Sequence, residues 1–175
     1  MEQPPKRLLK TIGLIDPIAI WSGKVMSWLI IPLMLGLIYE VISRYLFNAP
    51  TVWAYDVSYM LNGTLCMMGA AYTLYKDGHI RTDVLYANWS PRRQGWVNVI
   101  CYLFLFFPGM IFFFVAGLDS AVHAWSILEL SDASPWRPPL YPFKTVIPAC
   151  TLLLLIQGVS EFLKSLHAAL RGEWL

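Results

Sequence analysis

Glu40 and Arg44 stand four residues apart, the spacing that brings opposite charges together across one helical turn. In an apolar setting such a carboxylate either completes a structural ion pair or carries a proton along a transport path. Arg44 can also reach outward along its own aliphatic stem. Ser58, Asn62, Cys66 and Ala70 repeat at i, i+4, with Gly63, Gly69 and Thr73 beside them. Small side chains let backbones approach and an amide can bond across to a neighbour, so this stripe reads as a packing surface. His79, His123 and His167 raise haem chemistry. A two-haem bundle needs two axial ligands per iron at facing depths, and histidines at or beyond helix ends do not supply them. Cys66, Cys101 and Cys150 fall in apolar runs and read as small apolar residues. No nucleophile–base pair, metal-ligand set or glycine-rich phosphate loop stands out. The residues give neither a cofactor nor an enzyme.

The elements that must position these residues follow from composition. Of 175 residues, 57% are apolar and 14% are charged, where soluble domains carry about 25% charged residues. The excess of positive charge is only +2 and is dispersed, which leaves no footprint for nucleic acid. Such a chain reads as a small integral membrane protein.

Charge-free runs set the architecture. Val25–Tyr39 has 15 residues, Val57–Tyr75 has 19, Val97–Leu118 has 22 and Thr145–Ser160 has 16. Crossing about 30 Å of hydrocarbon takes about 20 helical residues, so the first and last runs must recruit their flanks. The expectation is an all-α integral membrane fold in a single domain. Four transmembrane helices are placed at 22–47, 54–75, 94–124 and 141–163, with an interfacial helix over 1–21. Asp16, Pro17 and Lys24 interrupt the early apolar residues, and Leu29–Ile38 leads into bulky Tyr39, which argues against a cleaved signal peptide.

Lys and Arg fix the orientation. The N-terminal segment, the second connection and the C-terminal segment carry ten of them; the opposite side has Arg44, Arg137 and Lys144. The positive-inside rule therefore makes both termini cytoplasmic. Two segments read as amphipathic and surface-lying. One has Leu8, Leu9, Ile12 and Ile15 on one face. The other has Ile80, Val84, Leu85 and Trp89 among polar residues. In the second, His79, Arg81, Asp83, Trp89, Arg92 and Arg93 form an expected interfacial anchor in contact with lipid. Ser90–Pro91 reads as the N-cap and first-turn proline of the third membrane helix, and Pro108–Gly109 as a bend within it. Ser134–Pro142 carries four prolines, which predicts a stiff, extended outer loop.

In order along the chain, Glu40–Pro50 (EVISRYLFNAP), Trp53 and Asp56, Gly69–Tyr72 (GAAY), Asp77–Leu85 (DGHIRTDVL) and Ser90–Arg93 (SPRR) carry a family likeness. The chain resembles the small, DctQ-type membrane subunit of tripartite ATP-independent periplasmic (TRAP) transporters. It departs from the family at Tyr55–Asp56, where an acidic pair often stands.

The resemblance implies a bacterial inner-membrane complex that takes up organic anions on a sodium gradient. A periplasmic binding protein delivers the cargo, and the large membrane subunit holds the substrate and sodium sites and moves like an elevator. The small subunit braces its scaffold. The proline-rich loop is similar to that of a subgroup associated with 2-oxo or aromatic carboxylates. On this reading Glu40 and Arg44 fix the outer end of the first helix, and the Ser58–Asn62–Cys66–Ala70 stripe packs helix on helix or against the partner. Asp119, Glu129, Asp132, Arg137 and Lys144 are candidates for docking the binding protein. The rival reading is a self-sufficient four-helix homodimeric exporter, for which Glu40 is the one credible membrane carboxylate.

Overall fold

A computed structural model describes residues 6–76 and 89–174 of the chain. Its secondary structure is helical, apart from one isolated bridge between Leu130 and Pro139. The helices are α1 (Lys6–Ser27), α2 (Ile30–Leu46), α3 (Ala54–Tyr75), α4 (Pro91–Cys101), α5 (Phe107–Ser126) and α6 (Tyr141–Arg171). Three helical stretches are long and apolar enough to cross a membrane: Leu8–Leu46, Pro91–Ser126 and Tyr141–Arg171. α3 has the length, but Tyr55, Asp56, Tyr59 and Asn62 lower its hydropathy. It packs on α1, α2 and α6, and a helix covered by protein on several sides needs less apolar surface than one facing lipid.

Local chemistry explains each break. The break between α1 and α2 falls at Trp28–Leu29, six residues after the expected start of the first spanning helix at 22. Pro32 has no N–H to give the Trp28 carbonyl. The turn before it tightens, with Leu29 N–H bonded to Met26 O at 2.9 Å and Ile31 N–H to Trp28 O at 3.2 Å. α4 begins at Pro91, as the Ser90–Pro91 pair predicts, after an extended Ser90 that makes no side-chain cap bond. Between α4 and α5 lies one π-helical turn, Tyr102–Phe106, which hands the Phe107 N–H to Tyr102 O. Pro108 is the cause: its ring displaces the preceding carbonyls and its nitrogen donates nothing, so the ladder widens one turn ahead. The bend expected at Pro108–Gly109 therefore takes the form of a π-bulge.

α6 runs eight residues beyond the expected 163 and is the hub of the bundle, touching α1, α3, α4 and α5. Gly172, with φ 78°, stops it in the left-handed conformation that glycine adopts freely and returns its N–H to Ala168 O at 2.8 Å. The crossings close at glycines. A Cβ on Gly95 would stand 2.4 Å from the Ala169 nitrogen. One on Gly63 would meet the Phe143 ring at 2.8 Å, and one on Gly117 would meet Ile147 at 2.8 Å. The core is narrow and polar for its size, with Thr151, Gln157, Ser160 and Ser165 buried on α6 and Asp56 on α3. Large apolar side chains point outward. Phe112 is 78% exposed and Trp21 and Trp28 are each 70% exposed.

Candidate functional site

The polar residues gather in ties between elements. At one end of the bundle, Arg44 donates to Glu40 Oε1 from Nε at 2.9 Å and from Nη2 at 2.5 Å. The other Glu40 oxygen accepts the Thr51 N–H at 3.0 Å and the Thr51 hydroxyl. Glu40 thus joins α2 to the chain entering α3. Ser43 and Ala49 complete the corner, and Asn48 turns it with φ 49°. The carboxylate has four donor contacts, an arrangement suited to holding a bend.

The Ser58–Asn62–Cys66–Ala70 stripe is divided. Ser58 and Ala70 are half-buried, whereas Asn62 and Cys66 lie exposed on the outer side of α3. Packing within the chain runs through Ala54, Asp56, Gly63, Ala71 and Leu74. An i, i+4 pattern selects a face and not the direction in which that face points.

The loop between α5 and α6 folds back on itself, where proline content alone predicts an extended run. Leu140 N–H bonds to Glu129 O and Ser131 N–H to Pro138 O, each at 2.8 Å. Leu128 (φ 48°) and Arg137 (φ 45°) take left-handed conformations that permit the reversal. Asp56 holds the loop from below: it is 1% exposed and accepts the Ser131 hydroxyl at 2.7 Å and the Ser134 hydroxyl. Its place in the first turn of α3 suits a carboxylate. Of the expected docking residues, Lys144 reaches both Glu129 oxygens, at 2.6 and 2.7 Å, and closes the base of the loop. Arg137 pairs with Asp132 at 2.7 Å on the surface. Asp119 lies within α5, exposed and apart from the other four.

Of the expected interfacial anchor, His79, Arg81 and Asp83 lie outside the described residues. Trp89 is exposed. Arg92 donates to Leu170 O at 3.1 Å, which ties the start of α4 to the end of α6. Arg93 is exposed. Trp174 adds a bond to Gln94 at 3.2 Å.

The largest polar cluster was not anticipated. Asp16 of α1 accepts from Ser160 Oγ at 2.6 Å and Gln157 Nε2 at 3.2 Å, and pairs with Lys164 at 3.0 Å. Lys164 also donates to Glu161 at 2.7 Å and stands 5.3 Å from the Tyr75 ring. Gln157 gives its amide hydrogens to both carboxylates, and its own buried oxygen has no partner among the described residues. The signal was in the sequence: 157, 160, 161 and 164 fall at i, i+3, i+4 and i+7, one polar face on an apolar helix. It meets Asp16, the one carboxylate in an otherwise apolar stretch of α1. Ionisable groups therefore do meet inside the bundle, near the end where α1 and α6 cross.

Apart from the surface pair Arg137–Asp132, each of these groupings ties one element to another. Among the described residues, no three His, Cys, Asp or Glu side chains gather as metal ligands. No curated protein sequence matches the chain at a significant level. A family profile, that of the DctQ component of tripartite ATP-independent periplasmic transporters, matches residues 33–168, from the first turn of α2 to the last turn of α6, and the chain belongs to that family.

Proposed function

We propose that this chain is the non-catalytic small permease subunit of a sodium-driven TRAP system for organic anions, bracing the scaffold of the large elevator-type subunit. The observation that carries the reading is the family match over 33–168, taken with a surface rich in large exposed apolar side chains. A bundle that leaves α2 without one buried residue has apolar area to be covered by lipid and by another membrane protein. Four crossings of the bacterial inner membrane are placed on the four charge-free runs, α3 included although it is less apolar than the three candidate spans, and the ten-to-three division of Lys and Arg supports both termini being cytoplasmic. Sodium coupling and a carboxylate cargo, 2-oxo or aromatic acids among them, come with the sequence resemblance. The binding protein docks transiently from the periplasm, and the outer loop, with Asp132 and Arg137 exposed, faces it.

The rival exporter reading requires Glu40 to take up and release a proton. Its engagement by Arg44 and Thr51 speaks for a fixed corner. The test is purification from native membranes followed by reconstitution. The expected result is stable copurification with a much larger polytopic protein, and uptake only when that protein and the binding protein are both present. Solute accumulation by this chain alone overturns the proposal.

A further inference from the structure

We propose that the groove between α2 and α3 seats a transmembrane helix of the large subunit, and that Asn62 is the hydrogen-bond donor that registers it. This rests on the reading above and adds the face by which the two subunits meet. The groove has a volume of about 490 Å³ and is walled by Leu33, Leu37, Ser58 and Tyr59, with Asn62 toward one end and Glu40 toward the other. That is too small for a helix body and roomy enough for side chains of one lying across it.

Depth makes the argument. α3 has 22 residues, about 33 Å at 1.5 Å per residue, close to the hydrocarbon thickness. Asn62 lies eight residues inside its start, about 12 Å in, and it is exposed. The amide has one contact among the described residues, the Cys66 thiol at a long 3.9 Å, in which the Asn62 oxygen accepts. Among the described residues its two N–H donors have no acceptor. Facing lipid, they would forfeit hydrogen bonds worth several kcal/mol. Glu40 and Arg44 sit one to two turns from the outer end of α2 and can direct their charge toward the headgroups; the short Asn62 side chain cannot. A covering helix must therefore present an acceptor, a backbone carbonyl or a Ser or Thr hydroxyl, at that depth. The opposite flank supplies the contrast. Phe112 and Phe113 on α5 are exposed and wholly apolar, a surface that lipid covers without loss.

The test uses the complete complex in membranes, with a photo-crosslinking phenylalanine analogue placed at position 62 or at position 112. Expected is a crosslink to the large subunit from 62 and to lipid alone from 112. Crosslinks from 62 to lipid or to a second copy of this chain, while the wild-type chain still copurifies with the large subunit, overturn the proposed face and leave the subunit assignment standing. Failure of the wild-type chain to copurify overturns the assignment itself. Asn62→Leu should weaken association about three- to tenfold while Asn62→Ser retains most of it. Association of Asn62→Leu equal to wild type, with its helical content unchanged, also overturns the proposal.

Discussion

Lys164 holds two carboxylates on different helices, Asp16 at 3.0 Å and Glu161 at 2.7 Å, and all three side chains are no more than about a fifth exposed. Removing the cation leaves two like charges facing one another with little water to screen them. Lys164→Met is expected to cost about 2–4 kcal/mol, a fall in Tm of roughly 4–16 °C for a chain of this size. The surface pair Arg137–Asp132, 58% and 85% exposed, provides the control: Arg137→Ala should cost under about 1 kcal/mol. Thermal unfolding of both variants in detergent decides it, and equal shifts would show that the α1–α6 cluster contributes no more than a surface contact. The Glu40–Arg44 pair was legible in the sequence because both partners lie on one helix at i, i+4, whereas Thr51, eleven positions from Glu40 and past the end of α2, was not. Asp16 and Lys164 lie 148 positions apart, and nothing in either local pattern names the other. Half of that cluster was nonetheless visible as the polar face at 157, 160, 161 and 164, set among apolar neighbours.

At the scale of elements, the charge-free runs marked where helices lie because a run of apolar residues near membrane length has few other uses. Their ends were harder to place, since Pro32 and Pro108 act on carbonyls a turn away and leave the apolar run uninterrupted. The crossings were not legible at all. Which glycine faces which helix depends on rotation about each axis, and periodicity does not fix that when all faces are apolar. Gly95 and Gly13 make the point testable. A methyl on Gly95 would strike the backbone of Ala169 at 2.4 Å and the Ser165 oxygen at 2.8 Å, neither of which can swing aside as a side chain would. Gly95→Ala should therefore destabilise by about 1–3 kcal/mol or more through overpacking. Gly13, mid-helix in α1, has nothing within 4 Å of that position, so Gly13→Ala should stabilise by about 0.5–1 kcal/mol through helix propensity. Opposite signs in the two melting temperatures are expected, and a Gly95→Ala variant that melts no lower than wild type would refute the close α4–α6 crossing.

For the molecule as a whole, polar ties at both ends and an apolar sheath between them agree with the proposed bracing role, a part that stays fixed while another moves. With both termini proposed inside, a membrane-impermeant thiol reagent applied to intact cells stripped of their outer membrane should label a cysteine introduced at position 137 and spare one at position 171. Labelling at 171 alone would invert the topology. On the proposed reading, the loop between α5 and α6 is where the binding protein is met. Lys144 and Glu129 are committed to each other, bonded at 2.6 Å and each a quarter exposed, so reversing Lys144 should open the loop base and disturb docking by deforming the surface. Arg137 projects from the turn with its partner Asp132 still more exposed. Reversing it should change the field presented to an approaching protein and leave the loop as it is. The two mechanisms separate by salt, because exposed charges interact over about 30 Å at 0.01 M ionic strength and about 8 Å at 0.15 M. In the reconstituted complex with the binding protein limiting, Arg137→Glu should slow uptake more at low salt than at high. Lys144→Glu should slow it at both, with recovery when Glu129→Lys is added. Uptake by Arg137→Glu that follows wild type across this range would take Arg137 out of docking and leave its salt bridge as a feature of the turn alone.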